Sequence, residues 1–101
     1  MKYSPPSDCK FSVYPTNEFQ KDYKRILKRK YDIALLDEVI VKLAQDETLE
    51  PKYKDHALTG DMKGFRECHI LSDWLLIYIS TEKDLVLVLT RTGTHSDLFS
   101  K

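Results

Sequence analysis

Apolar residues recur along this chain with two different periods, and the change of period divides it into a helical first half and a strand-rich second half. Phe19, Tyr23, Ile26 and Leu27 fall at helical spacing, and Ile33, Leu36, Ile40 and Leu43 repeat the stripe with Val39 and Ala44 beside it. Two helices are predicted. The first opens at Thr16 or Asn17 as N-cap, with Glu18 near the positive end of the helix dipole. Tyr31-Asp32 separates it from the second, which runs to about Gln45, and so short a connection implies an antiparallel helical hairpin. Before the helices, Lys10 to Tyr14 offers a short strand with Phe11 and Val13 on one face, ended by Pro15-Thr16-Asn17.

From Phe65 onward the period is two. Phe65 to Leu71 alternates so that Phe65, Glu67 and His69 share one face while Arg66, Cys68 and Ile70 share the other. Ser72-Asp73 reads as a turn, and Trp74 to Ile79 as an apolar run suited to a strand buried on both faces. Glu82-Lys83-Asp84 reads as a hairpin turn and Leu85 to Thr90 as the last strand. Asp46 to Lys63, carrying Pro51, Tyr53, Asp55 and His56, is expected to be a long loop, and loops above about 12 residues are usually functional or disordered. The fold class is α+β: an N-terminal strand and a helical hairpin packed on one face of a mainly antiparallel sheet. The other face, where Glu67 and His69 point, is expected to be open.

With 101 residues the chain has room for one core and reads as a single domain, 1–101, with residues 1–9 as a flexible lead-in. Its 42% hydrophobic and 32% charged residues are those of a soluble globular protein. No apolar run approaches the roughly 18 to 20 residues of a membrane span, and no signal-peptide core precedes the Pro5-Pro6 pair. A cytoplasmic protein with no membrane partner is expected, and Cys9 and Cys68 read as reduced thiols. The zero net charge conceals a gradient: residues 1–30 hold eight Lys/Arg against three acids, and residues 31–50 hold one against six. Lys21, Lys24, Arg25, Lys28 and Arg29 line the outer side of the first helix, a face suited to nucleic acid or an acidic partner.

The unusual chemistry is gathered in Lys54 to Trp74 and in the terminal Arg91 to Phe99, which between them hold all three histidines. A set of His, Glu and Asp without a thiol or hydroxyl nucleophile in a recognisable setting is what proton transfer without a covalent intermediate requires. Asp73 and His95 reach the face of Glu67 and His69 if the C-terminal strands form a meander. A different enzymatic reading treats His56, His69 and His95 with Asp73 as a zinc site. Against it, neither HExxH nor CxxC spacing is present.

The run YKDHALTGDMKGFRECHILSDWLLIY from Tyr53, closed by RTGTHSDLF, resembles the YafQ branch of the RelE/ParE superfamily of bacterial type II toxins. The resemblance covers nearly the whole chain. It implies a RelE-like fold and a toxin that cleaves mRNA in the A site of the 70S ribosome, without a metal or other cofactor. It further implies neutralisation by a ribbon-helix-helix antitoxin, with a heterotetramer around the antitoxin dimer as the expected assembly. Carried over to this chain, the functional positions are His56, Glu67, His69, Asp73, His95 and Phe99. Among these, His95 is expected as general acid, with Glu67, His69 or His56 supplying the base. Phe99 is expected to stack on a base, with a hydrophobic plug of the core as its alternative. Lys54, Arg66 and Arg91 are expected to contact the substrate, the two arginines by stabilising charge; Arg66 alternates to the opposite face, so a structural role is its alternative. At Glu67 relatives often have Asp, one methylene shorter. The ParE branch inhibits DNA gyrase by binding alone, so a non-enzymatic inhibitor or an antitoxin-bound repressor module is the alternative.

Overall fold

The computed structural model describes residues 2–99, so the ends of the single-domain reading, residue 1 and residues 100 and 101, lie outside the described residues. Strand β1 (Ser12–Pro15) leads into helices α1 (Asn17–Lys28) and α2 (Ile33–Ala44). Strands β2 (His56–Ala57), β3 (Arg66–Leu71), β4 (Trp74–Thr81) and β5 (Val86–Gly93) follow, then the short helix α3 (His95–Phe99). They form one five-stranded sheet in the order β1-β5-β4-β3-β2, parallel only between β1 and β5. The two-helix crossover between β1 and the rest of the sheet is what allows that parallel pair.

Local chemistry explains where the helices begin. Thr16 caps α1 by accepting from the Phe19 N–H at 3.0 Å, and Asp32 caps α2 by accepting from the Ala34 N–H at 3.2 Å. Phe19, Ile26, Leu36 and Ile40 then bury completely against Cys68, Leu76, Leu87 and Leu89 of the sheet. This apolar layer holds the helical hairpin to one face.

Four expectations are corrected. The lead-in is tied down: Tyr3 is 5% exposed and meets Phe19 and Tyr23 edge-on, its N–H donating to Gln20 Oε1 at 2.8 Å. The long loop is structured, with 3₁₀ turns at Pro51–Tyr53 and Gly60–Met62 and the two-residue strand β2 between them. The last strand continues to Gly93 and α3 follows it. Nor is the second sheet face bare, because Leu75 and Ile77 are fully buried there while Trp74, Leu76 and Tyr78 face the helices. Apolar residues at both parities of β4 make it the spine of the molecule.

Candidate active site

Register explains why residues distant in sequence meet. Glu67 lies opposite Ile77 and His69 opposite Leu75 across β3 and β4, and His56 of β2 lies directly opposite Glu67 on the other side. Leu75 in turn faces Gly93, so His95, two residues further on, comes back over the same face. The outcome is a row. Ring centroids of His56 and His69 are 6.5 Å apart, those of His69 and His95 6.2 Å, and those of His95 and Phe99 6.1 Å.

Glu67, 6% exposed, stands between two imidazoles, with Oε1 at 3.5 Å from His56 Nε2 and 3.8 Å from His69 Nε2. Both distances exceed a hydrogen bond, so an oxygen atom set within reach of the carboxylate and a ring could bridge them. The Lys54 carbonyl, which can only accept, lies 2.6 Å from His56 Nδ1. Nδ1 therefore carries the proton and Nε2 is the atom turned to Glu67. Lys54 is itself held in a left-handed conformation (φ 49°) at the end of its 3₁₀ turn.

Asp55 explains how a two-residue strand keeps its place. It accepts from the Tyr78 hydroxyl at 2.5 Å and from Arg66 Nε at 3.4 Å, on the helix side of the sheet. Neighbouring side chains alternate, so this grip turns His56 to the opposite face. Burial first, and then the Asp55 carboxylate, push the Tyr78 hydroxyl above its ordinary range.

His95 is fixed from two sides. Asp73 Oδ1 accepts from the His95 backbone N–H at 3.0 Å and from its ring Nδ1 at 2.9 Å, leaving Nε2 without a hydrogen-bond partner among the described residues. The backbone donor first, and then the ring, hold the Asp73 carboxyl below its usual range. Thr94 and Asp97 cap α3 reciprocally: Thr94 Oγ1 accepts from the Asp97 N–H at 3.1 Å, and Asp97 Oδ2 accepts from the Thr94 N–H at 3.0 Å. Arg29, at the end of α1, adds a two-pronged pair to the Asp97 carboxylate at 2.7 and 3.0 Å. A Cβ at Gly93 would lie 2.9 Å from Asp97 Cβ, so only glycine admits this capping carboxylate.

The expected substrate cations are placed differently. Arg66 alternates to the helix face, where Asp55 holds it, and is outside the row. Arg91 lies opposite Ile77 on the row's own face, yet its guanidinium turns to the buried Asp22 of α1, at 2.7 Å from Nε. Lys54 borders His69, and Phe99, 46% exposed, stands beside His95 instead of plugging the core. On α1, Arg25 and Arg29 are engaged by Asp22 and Asp97, while Lys24 and Lys28 remain exposed. Two positioning residues, Arg29 and Asp97, escaped sequence reasoning; the T-x-x-D spacing of Thr94 and Asp97 was the available signal for one of them. Among the described residues no group of three or more His, Cys, Asp or Glu side chains is arranged to hold a metal ion. No helix among them is long and apolar enough to cross a membrane.

Comparison with known proteins supplies a family. Residues 11–100 match the family described as bacterial toxin of type II toxin-antitoxin system, YafQ. The mRNA interferase toxin YafQ of Escherichia coli K12 is 40% identical over 85 residues, 83% of this chain and 90% of that protein. Toxin from the E. coli DinJ–YafQ complex superposes with a TM-score of 0.81 at 37% identity, covering 88% of this chain and 98% of that one. A metal-bound toxin from Helicobacter pylori superposes with a TM-score of 0.82 at 43% identity, covering 88% and 99%.

Proposed function

The chain belongs to the YafQ family of toxins from bacterial type II toxin–antitoxin systems, and from that premise we propose that it is an mRNA interferase, an endoribonuclease acting on messages in the ribosomal A site. The observation that carries this reading is the convergence of His56, Glu67, His69 and His95, drawn from β2, β3 and α3, on one sheet face with Phe99 at its end.

RNA brings its own nucleophile, the 2′-OH. Cleavage needs that hydroxyl deprotonated, the new bond from 2′-O to phosphorus formed, and the bond to the 5′ oxygen broken as that oxygen takes a proton. A 2′-OH seated against Glu67 and a neighbouring ring meets three candidate bases, Glu67, His69 and His56. His95, its Nδ1 fixed by Asp73, presents Nε2 as the acid. The products are a 2′,3′-cyclic phosphate and a free 5′-OH, and the proton taken by the base must return to His95 before the next cycle. No step requires a group beyond these side chains. Phe99 stacks on an unpaired base and holds the scissile phosphate in line.

DinJ accompanies YafQ in the E. coli complex, which supports a cognate antitoxin for this chain. The proposal extends to a ribbon-helix-helix antitoxin whose dimer carries two copies of the toxin. The exposed Lys24 and Lys28 suit contact with ribosomal RNA or with an acidic antitoxin segment. The test is expression of the chain without antitoxin, with mRNA ends mapped by primer extension. Growth arrest with new 5′-OH ends inside codons supports the proposal; arrest with intact messages and inhibited gyrase would replace it by the non-enzymatic alternative.

A further inference from the structure

A cleft of about 370 Å³ opens beside the row of histidines, with His69 as the shared wall. Leu35 and Glu38 of α2 line one side, Lys52, Tyr53 and Lys54 of the 3₁₀ turn another, and Leu71 stands at the end of β3. We propose that this cleft is a subsite for one nucleotide of single-stranded RNA, extruded from the message next to the scissile bond. The inference rests on the ribonuclease reading above and goes beyond it in naming where the chain on the far side of His69 from Phe99 is held.

Three features favour a nucleotide. The first is size, since about 370 Å³ lies at the small end of ligand sites, which begin near 300 Å³. The second is charge. Lys52 and Lys54 are both exposed at the cleft and have no ion-pair partner among the described residues, as a phosphate-facing wall requires. Lys52 Nζ already leans over the Tyr53 ring, 5.1 Å from its centroid. The third is an uncovered apolar surface: Leu71 is 55% exposed beside the buried Ile70, at a register shift in β3 that falls between His69 and Leu71. Irregularities of this kind re-aim side chains at the edges of sites. Single-stranded RNA is recognised by splaying bases onto such surfaces and bonding their edges.

Glu38 then has a defined part. A carboxylate only accepts, so at the cleft wall it favours a base edge that offers an N–H. The segment that walls the cleft also holds His56 through the Lys54 carbonyl.

The test uses the full chain cleaving a defined message on programmed ribosomes. Leu71→Asp, which removes the apolar wall and repels phosphate, should raise KM by about tenfold with kcat within about twofold, the scale of one lost base contact. Lys52→Ala should raise KM less and flatten its salt dependence. Glu38→Gln, which weakens the acceptor at the base edge, should raise KM on the preferred codon and redistribute cleavage among codons. Unchanged KM and an unchanged cleavage pattern in all three, with folding verified by circular dichroism, would overturn the subsite. Normal cleavage with weakened antitoxin binding would also overturn it, assigning the cleft to the antitoxin. If the unsubstituted chain cleaves nothing, the ribonuclease reading itself fails and the subsite falls with it.

Discussion

One oxygen of Asp73 serves His95 twice, accepting from its backbone N–H at 3.0 Å and from its ring Nδ1 at 2.9 Å. The pair orients a solvent-exposed imidazole that would otherwise sample several rotamers, and it selects the tautomer in which Nε2 is free. Asp73→Asn keeps an acceptor but removes the anion that stabilises the charged ring. Cleavage should fall by about 10- to 100-fold, mainly in kcat, with the melting temperature little changed. Asp73→Ala should be worse in activity than Asp73→Asn; equal activity of both with wild type would remove Asp73 from the mechanism.

Arg29 and Asp97 give a pH signature. The Arg29 guanidinium beside it holds the Asp97 carboxyl well below the usual carboxylate range. A depressed folded value means that the stabilisation is full above the unfolded value of about 3.9 and is lost as pH falls through the folded one. In Arg29→Ala the main source of that depression is gone, so α3 should lose its order at a higher pH than in wild type. An NMR titration of the Asp97 side-chain carboxyl reads this directly: its midpoint should move up toward the ordinary range, and an unmoved midpoint would contradict the assignment.

How much of this was legible beforehand depended on whether the signal was local. The alternation that put Glu67 and His69 together is intrinsic to one strand, and the helical stripes of Phe19 to Leu43 are periodic, so both could be read from the chain. Strand β2 could not, because two exposed residues, His56 and Ala57, carry no pattern and owe their pairing to Asp55 gripping Tyr78, 23 positions away. The same holds for Arg29, which reads as one more cation of a basic face until Asp97, 68 positions on, comes within 2.7 Å. Tyr3 looked like part of a polar lead-in since only a tertiary aromatic pocket distinguishes it.

Asp55 should act through His56 and not on substrate. Asp55→Asn and Tyr78→Phe each loosen the anchor on the helix side of the sheet, and both are expected to lower cleavage by roughly tenfold, in keeping with a small misplacement of a reacting group. A purely structural role would disturb the whole site. A positioning role should shift the His56 ring resonances in NMR while leaving those of His95 in place, and the reverse pattern would refute it.

The two thiols should differ sharply. Burial pushes the Cys68 thiol up to about 12, whereas Cys9 is partly exposed. Native protein should therefore titrate with one equivalent of a thiol reagent at pH 8 and with two after denaturation. Cys9→Ser should be silent, and Cys68→Ser should cost about 1–3 kcal/mol of stability for a hydroxyl buried among apolar neighbours, without loss of toxicity. Rapid reaction of both thiols in the folded state would contradict the burial.

The assignment of His95 as general acid follows from what the remaining groups can do. Glu67 and His56 face each other at 3.5 Å and share a carboxylate with His69, an arrangement suited to receiving a proton from the 2′-OH. His95 lies at the other end of the row, beside Phe99, with its Nδ1 committed to Asp73. A base and an acid acting in line must stand on opposite sides of the phosphorus, and the row provides that separation through His69. The departing 5′ oxygen needs a donor that is substantially protonated near neutral pH yet gives its proton up, which among these side chains describes an imidazole. His95→Gln keeps the backbone bond to Asp73, and its amide, standing near the position of Nε2, cannot transfer a proton. It should fold, bind antitoxin and fail to arrest growth, with cleavage lowered by about 10²- to 10⁴-fold. A message with a 5′-thio leaving group, which departs without protonation, should restore most of the rate to His95→Gln and to no variant at Glu67. Full rescue of Glu67→Gln by the same substrate, or near-normal cleavage of the ordinary message by His95→Gln, would place the acid elsewhere in the row.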